Sequence, residues 1–191
     1  MTESATPMPR HRFIAIEGLK GSGKTSVSSA IAERYGARLY TTPPPLFRPI
    51  RDAVEAGASP VAKYLYYCSG LAQAAWEIEA VLSERPVVCD KFTATLLAYS
   101  RANGIDDELA WFKGVVQPDI AFRLDVPTEV RLRRVIGRGD EVHAAKAYLA
   151  MEERLDVNSH WPHENIIAMD NGAEGVGGVV RAISKILDGE T

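Results

Sequence analysis

The residues Gly18-Leu19-Lys20-Gly21-Ser22-Gly23-Lys24-Thr25 fit G-x-x-x-x-G-K-[ST], the spacing of a loop that wraps nucleotide phosphates with backbone N–H groups at a helix N-terminus. Each residue type has a physical task. Gly18, Gly21 and Gly23 permit backbone conformations and close approaches that a β-carbon would obstruct. Lys24 brings a point charge to the β- and γ-phosphates, and Thr25 offers a hydroxyl to Mg²⁺. The remaining N–H groups, those of Lys20, Ser22 and Ser26 among them, do the cradling. The chemistry this points to is the binding of ATP with Mg²⁺ and movement of its terminal phosphoryl group.

Other residues qualify as partners in that chemistry. Asp90 closes the apolar run Val87-Val88-Cys89, where a strand-end acid organises Mg²⁺ directly or through water; the alternative is a helix cap for the segment after Phe92. Arg131, Arg134 and Arg138 fall at i, i+3 and i+7, one face of a helix, so a lid over about residues 131–145 can aim all three at a moving phosphoryl group. A solvated basic face is the alternative. Gly137 and Gly139 favour mobility there, and Arg133, four after Glu129, fits an ordinary ion pair along the helix. Asp125 precedes Pro127 and reads as a helix cap. Tyr64, Tyr67 and Leu71 share a helical face, on which Tyr67 is read as a substrate contact or as core packing. Trp76 and Trp111 are expected in the core. His160-Trp161-Pro162-His163 reads as loop, since Pro162 breaks any helical presentation of metal ligands.

These residues need elements to hold them. Phe13-Ile14-Ala15-Ile16 is a short apolar strand that opens, through the glycine-rich turn, onto a helix from Ser26 to Tyr35. Strands follow at Arg38–Thr41, Val87–Asp90, Asp119–Asp125 and Asn165–Met169. Pro43-Pro44-Pro45 imposes a loop. Helical patterns cover Leu46–Glu55, Val61–Glu84, Thr95–Ala102, Asp106–Gly114, Pro127 to about Arg138, Glu141–Asp156 and Val176–Leu187. Strands alternating with helices predict an α/β fold of three layers, a five-stranded parallel sheet with helices on both faces and a small lid.

The chain resembles the thymidylate kinase family of nucleoside monophosphate kinases over roughly residues 12–188. Phe-Ile-Ala-Ile-Glu-Gly-Leu-Lys-Gly-Ser-Gly-Lys-Thr is similar to the family's opening, with Lys20 where the family usually has Asp. Ile50-Arg51 resembles a pair whose arginine holds the acceptor's phosphate. Leu65 to Gln73 is similar to the segment where an aromatic stacks on thymine and an arginine bonds its carbonyl; Tyr67 keeps the platform, while Gly70 and Leu71 replace the family's Asp-Arg. Val88 to Phe92, with Leu97-Ala98-Tyr99, resembles the Asp-Arg-Tyr segment and its continuation. Asp90 and Tyr99 match, and Lys91 replaces the arginine on the acceptor phosphate, keeping charge but losing the two-pronged geometry. Leu96 and Ser100 replace polar residues near the base. Pro118-Asp119 and Leu124-Asp125-Val126-Pro127 match, Arg131 to Arg138 corresponds to the lid, and Thr41 to Pro45 departs from the family's Arg-Glu-Pro-Gly-Gly.

The resemblance implies transfer of the ATP γ-phosphate to a (deoxy)nucleoside monophosphate or similar phosphorylated small molecule, with Arg51, Tyr67, Lys91, Tyr99 and Lys20 on the acceptor and Lys24, Lys91, Arg134 and Arg138 on the reacting phosphates. Losing the donor at Leu71 implies weaker base selectivity or an acceptor other than dTMP. Two other readings stay open: an enzyme like the deoxynucleoside kinases that phosphorylates a hydroxyl, and a nucleotide-binding regulatory module that transfers nothing.

The whole chain sets the frame. With 191 residues and a net charge of −3, it reads as one domain over residues 12–191 after a disordered leader over residues 1–11, large enough to bury a core without disulfides. Slight acidity gives no global field for nucleic acid or anionic membrane. Two cysteines, Cys68 and Cys89, make neither a disulfide framework nor a zinc motif, so a reducing cytoplasm is expected. No signal-like stretch or membrane span is legible. The family pattern implies a homodimer.

Overall fold

The structure is a computed structural model that describes residues 12–105, 114–162, 165–172 and 175–190. The expected leader, most of the helix expected at Asp106–Gly114, Trp111 and His163 lie outside the described residues. Five strands, β1 (Phe13–Glu17), β2 (Arg38–Thr41), β3 (Val87–Asp90), β4 (Ile120–Asp125) and β5 (Ile166–Asp170), form one parallel sheet in the order β2-β3-β1-β4-β5. Among the described residues seven α-helices surround it: α1 (Lys24–Tyr35), α2 (Arg51–Gly57), α3 (Pro60–Leu82), α4 (Thr93–Ala102), α5 (Thr128–Ile136), α6 (Val142–Arg154) and α7 (Gly175–Asp188). A 3₁₀ helix, Pro45–Ile50, leads into α2.

The alternation of β1 decides the layers, because successive side chains on a strand point to opposite faces. Phe13 and Ala15 pack with Tyr64, Leu71, Ala74, Ile78, Phe92 and Leu96 from α3 and the start of α4. Ile14 and Ile16 pack on the other face with Val27 and Ile31 of α1 and Val179, Ile183 and Leu187 of α7. All five residues of β1 are buried, as a central parallel strand covered on both faces requires. The expected three-layer fold is what forms.

Register then sets the site. Ile16 lies opposite Asp90 on β3, Thr41 opposite Asp90 on β2, and Glu17 opposite Arg123 on β4. The carboxyl ends of β1, β2, β3 and β4 therefore open together. The connection from β1 runs to one side and that from β3 crosses to the other, which leaves a crevice at β1, the place where open α/β sheets take ligands.

Local signals explain the helix starts. Gly23 precedes α1 with φ 94°, and Ser59 caps α3 by accepting from the amide of Ala62 at 3.3 Å, ahead of Pro60 at the first helical position. Not every expectation for packing holds. Trp76 is 70% exposed on the outer side of α3, because the inner face is already filled by Leu71, Ala74, Ala75 and Ile78. Asp125 caps nothing: its two carboxylate oxygens accept from Arg123 at 2.8 and 2.7 Å, and Arg123 in turn lies 5.6 Å from the Trp161 ring. That pairing is what lets an arginine sit inside β4. Arg133 and Glu129 form no ion pair among the described residues.

Candidate active site

The loop from Gly18 to Gly23 joins β1 to α1 so that the first amides of α1 face the crevice. Two of its glycines are required by geometry. Gly21 has φ 83° and a β-carbon there would meet the backbone oxygen of Arg131 at 2.8 Å; Gly23 has φ 94° and a β-carbon would meet Asn171 at 2.6 Å. Lys24 arches back over the loop, its Nζ donating to the Leu19 carbonyl at 2.9 Å. Burial, aided by the neighbouring charge of Lys91, pulls the Lys24 pKa down to about 8, against the attraction of Asp90 and Glu17. A dianionic phosphate group is the partner such a cation lacks.

Thr25 Oγ1 donates to Asp90 Oδ2 at 2.6 Å. The contact follows from register, since β1 and β3 end side by side, and it places the Asp90 carboxylate against the loop. A hydroxyl and a carboxylate oxygen so placed are hard donors of the type Mg²⁺ accepts, and few in number, as suits an ion that keeps waters and takes phosphate oxygens. Among the described residues no cluster of three or more His, Cys, Asp or Glu side chains could hold a metal without a substrate.

From this floor a cavity of about 800 Å³ extends between α2, α3, α4 and α6. Lys24, Thr25 and Asp90 line it together with Arg51, Tyr67, Lys91 and Tyr99. Lys91 has φ 71°, and its Nζ lies 5.6 Å from the centre of the Tyr67 ring and 5.7 Å from that of Tyr99. A cation between two ring faces is held by their quadrupoles. Burial and the charge of Arg51 lower the pKa of Lys91. Tyr67 donates its hydroxyl to Glu55, and burial raises its pKa. Part of the wall is apolar, formed by Tyr64, Leu71, Leu96 and Ile105. A second cavity of about 200 Å³ lies behind the loop, beside Leu19, Arg123, Asp125, Arg131 and Trp161, where every charged side chain is already paired.

The structure thus brings Gly18, Lys20, Lys24, Thr25, Asp90, Lys91, Arg51, Tyr67 and Tyr99 to one cavity. Others behave differently. Ser22 is fully buried, and its carbonyl accepts from Asn171 Nδ2 at 2.7 Å. Ser26 is exposed on the first turn of α1 and does not line the cavity. Lys20 pairs with Asp140 at 2.5 Å and lies over the Tyr148 ring at 5.2 Å.

The arginine face expected for the lid is not one face. Helix α5 ends at Ile136, so Arg138 lies beyond it and is exposed. Arg131 is 3% exposed and paired with Glu152 at 2.5 Å. Arg134 flanks the loop, donating to the Asn171 carbonyl at 2.7 Å and the Ser22 carbonyl at 3.5 Å, and Arg131 also reaches it, donating to the Lys20 carbonyl at 3.3 Å.

Sequence reasoning missed four residues that hold this site together. Glu17, 1% exposed, accepts from the amides of Phe92, Ala94 and Thr95 at 3.0, 3.2 and 3.2 Å and from Thr95 Oγ1 at 2.5 Å. It caps α4 from another strand and so fixes the chain just after Lys91. Burial pushes its carboxyl above the ordinary range, against those hydrogen bonds. A signal existed: an acid ends β1 in an apolar run, and α4 opens on Phe92 with no capping side chain of its own. Asn171, Asp140 and Glu152 carried none, since each acts on partners more than twenty residues away or on an unremarkable backbone carbonyl.

Comparison with known proteins agrees with this geometry. A family model described as thymidylate kinase matches residues 16–170. The thymidylate kinase of Citrifermentans bemidjiense is 31% identical over 173 residues, covering 81% of this chain and 75% of that protein. A probable thymidylate kinase of Pyrococcus horikoshii is 35% identical over 150 residues, covering 68% and 72%. Among solved structures, thymidylate kinase from Candida albicans superposes with a TM-score of 0.71 at 21% identity, covering 94% of this chain and 92% of that one. Deoxyadenosine kinase from M. mycoides with bound dATP superposes with a TM-score of 0.68 at 15% identity, covering 92% and 98%. The two structures bear on the fold alone.

Proposed function

The chain belongs to the thymidylate kinase family, and from that premise we propose that it transfers the γ-phosphoryl group of ATP, with Mg²⁺, to a nucleoside monophosphate whose base is only loosely selected. The observation that supports this is one cavity lined by Lys24 and the Thr25–Asp90 pair together with Lys91, Arg51 and two tyrosine rings. The Lys24, Thr25 and Asp90 group suits a triphosphate tail, and the two further cations beside the rings suit an anion attached to a flat ring. Two cations at the acceptor end favour a group that arrives already phosphorylated over a bare hydroxyl. Thr42, in the loop after β2, gives its hydroxyl to the Lys91 carbonyl at 2.6 Å and offers no base.

Phosphoryl transfer asks little covalent work of a protein, so positioning and charge carry it. The loop amides hold the β-phosphate, Lys24 turns from the Leu19 carbonyl onto the transferring group, and Arg134 stands beside Gly23. Lys91 and Arg51 hold the acceptor phosphate in line, and Tyr67 stacks on its ring. Magnesium, when held by Thr25 and Asp90, offsets phosphate charge. Arg131 is committed to Glu152 and exposed Arg138 has no partner in the cavity, so neither is assigned to the reaction.

Loose base selection follows from Leu71, which is 4% exposed on the apolar wall. A pocket that must hydrogen-bond a base rejects others by about 10⁴-fold or more, whereas an apolar one manages roughly 10–200-fold. A homodimer forms through α3, where Val61, Leu65 and Trp76 are 57%, 57% and 70% exposed along one stripe. Two buried cysteines, Cys68 and Cys89, form no disulfide among the described residues, which suits a reducing compartment such as the cytoplasm; no helix among the described residues is long and apolar enough to cross a membrane.

Incubation with Mg·ATP and a panel of nucleosides, nucleoside monophosphates and phosphorylated metabolites tests the reading. ADP release that depends on several monophosphates and vanishes in Lys24→Ala is the expected result. Release with nucleosides only, or without any acceptor, overturns it.

A further inference from the structure

We infer that Glu152 is a positioning residue that ties occupancy of the acceptor pocket to the conformation of the phosphate loop, through Tyr99 on one carboxylate oxygen and Arg131 on the other. The inference rests on the reading above, in which the Lys91 end of the cavity takes the acceptor and the loop takes ATP.

Glu152 lies on α6 and is 2% exposed. Its Oε1 accepts from the hydroxyl of Tyr99, and its Oε2 from Arg131 Nη1 at 2.5 Å. Tyr99 lines the cavity and carries Lys91 on its ring face. Arg131, equally buried, gives the same Nη1 to the Lys20 carbonyl at 3.3 Å, while its own backbone oxygen forms the wall that excludes a side chain at Gly21. A continuous path of contacts thus runs from the acceptor's cation through Tyr99, Glu152 and Arg131 to the middle of the phosphate loop. A second path closes the ring. Tyr148 donates to the Tyr99 hydroxyl at 3.2 Å, and its ring lies under Lys20 Nζ, which is also paired with Asp140.

The physics of burial turns this path into a coupling. A buried carboxylate cannot relax into water, and moving it off either partner leaves a buried charge or hydroxyl unpaired, which is strongly unfavourable. When a monophosphate settles against Lys91 and presses on Tyr99, Glu152 must follow the hydroxyl, and Arg131 with its hold on the Lys20 carbonyl must follow Glu152. Coupling of this kind is reciprocal, so ATP on the loop firms the Tyr99 wall to the same degree. A purely structural Arg131–Glu152 staple would hold α5 to α6 and carry no such link.

Calorimetric titration separates the two. The probe is the imidodiphosphate analogue of ATP with Mg²⁺, titrated with and without saturating dTMP, dCMP, dAMP or dGMP, into wild type, Tyr99→Phe and Glu152→Gln. In wild type at least one monophosphate should change analogue affinity by about fivefold or more. In both variants the factor should fall to within about twofold of unity and kcat should drop, while the affinity for the ATP analogue alone stays near wild type. Tyr99→Phe leaves the Arg131–Glu152 pair whole, so it keeps the test sound if Glu152→Gln melts early. Undiminished coupling in Tyr99→Phe, or no coupling in wild type with both ligands bound, overturns the inference. Failure of every monophosphate to bind is a different result, because it removes the acceptor reading first and this inference with it.

Discussion

The floor of the cavity comes from two neighbouring strand ends and one loop, with Lys24, Thr25 and Asp90 fixed by backbone register. The rest of the lining draws Arg51 from α2, Tyr67 from α3 and Tyr99 from α4, while Lys91 directly follows Asp90 at the end of β3. One region is local in sequence, because a short loop at a helix N-terminus is enough to present backbone amides to phosphate. The other is spread along the chain, because it is built from side chains on separate elements. Where function is generic the backbone does the binding, and where it is specific the side chains do.

Breaking the floor should have the largest effect. Lys24→Ala is expected to lower kcat/KM by about 10³-fold, as loss of a charged contact to the transition state does, with steady-state assays over a range of ATP concentrations as the check. Breaking the wall should cost less. Lys91→Ala is expected to lower kcat/KM for the monophosphate by about 10²-fold and leave the KM for ATP within about twofold, which would localise Lys91 to the acceptor end. Equal losses on both substrates would place it elsewhere.

Support behind both regions is next. Glu17→Gln puts an N–H₂ against the amides of Phe92, Ala94 and Thr95, so about 2 kcal/mol of stability should be lost, a fall of roughly 4–8 °C in Tm. Thermal unfolding followed by circular dichroism reads it directly, and an unchanged Tm would deny Glu17 its capping role. Leu71→Arg sharpens the comparison from the other side. Restoring a donor to the apolar wall should shift preference toward a base with a carbonyl rather than an amine at position 4 by about tenfold, measured by competition between dTMP and dCMP. The smallest effect belongs to Arg138→Ala, which should change kcat by less than about threefold since the side chain is exposed and unbonded; a hundredfold loss would mean that this arginine enters the cavity during turnover.

Legibility in the sequence follows the same divide. The phosphate loop, its flanking strand and helix, and Asp90 were readable because each is a short pattern whose spacing is the geometry itself. The sheet was readable because apolar runs of four or five residues between helical patterns leave few alternatives. Lys91, Tyr67, Tyr99 and Arg51 were found through family resemblance, and their convergence on one cavity agrees with it. Arg131, Arg134 and Arg138 follow helical spacing in sequence yet meet three environments, since Glu152 claims Arg131, Asn171 claims Arg134, and the helix stops before Arg138. Trp76 was misplaced because hydrophobicity alone does not say which side of a helix meets the sheet. Glu17 was passed over as the end of a strand because its partners lie more than seventy residues ahead.

The central claim is that one cavity holds a nucleotide's triphosphate tail and a second phosphorylated compound close enough to react. Single-turnover reaction with γ-labelled ATP, Mg²⁺ and a mixture of deoxynucleoside monophosphates tests it most directly. The account predicts that label passes to the corresponding diphosphates with little free phosphate formed. Label recovered only as inorganic phosphate, or retained in ATP that is demonstrably bound, would contradict it.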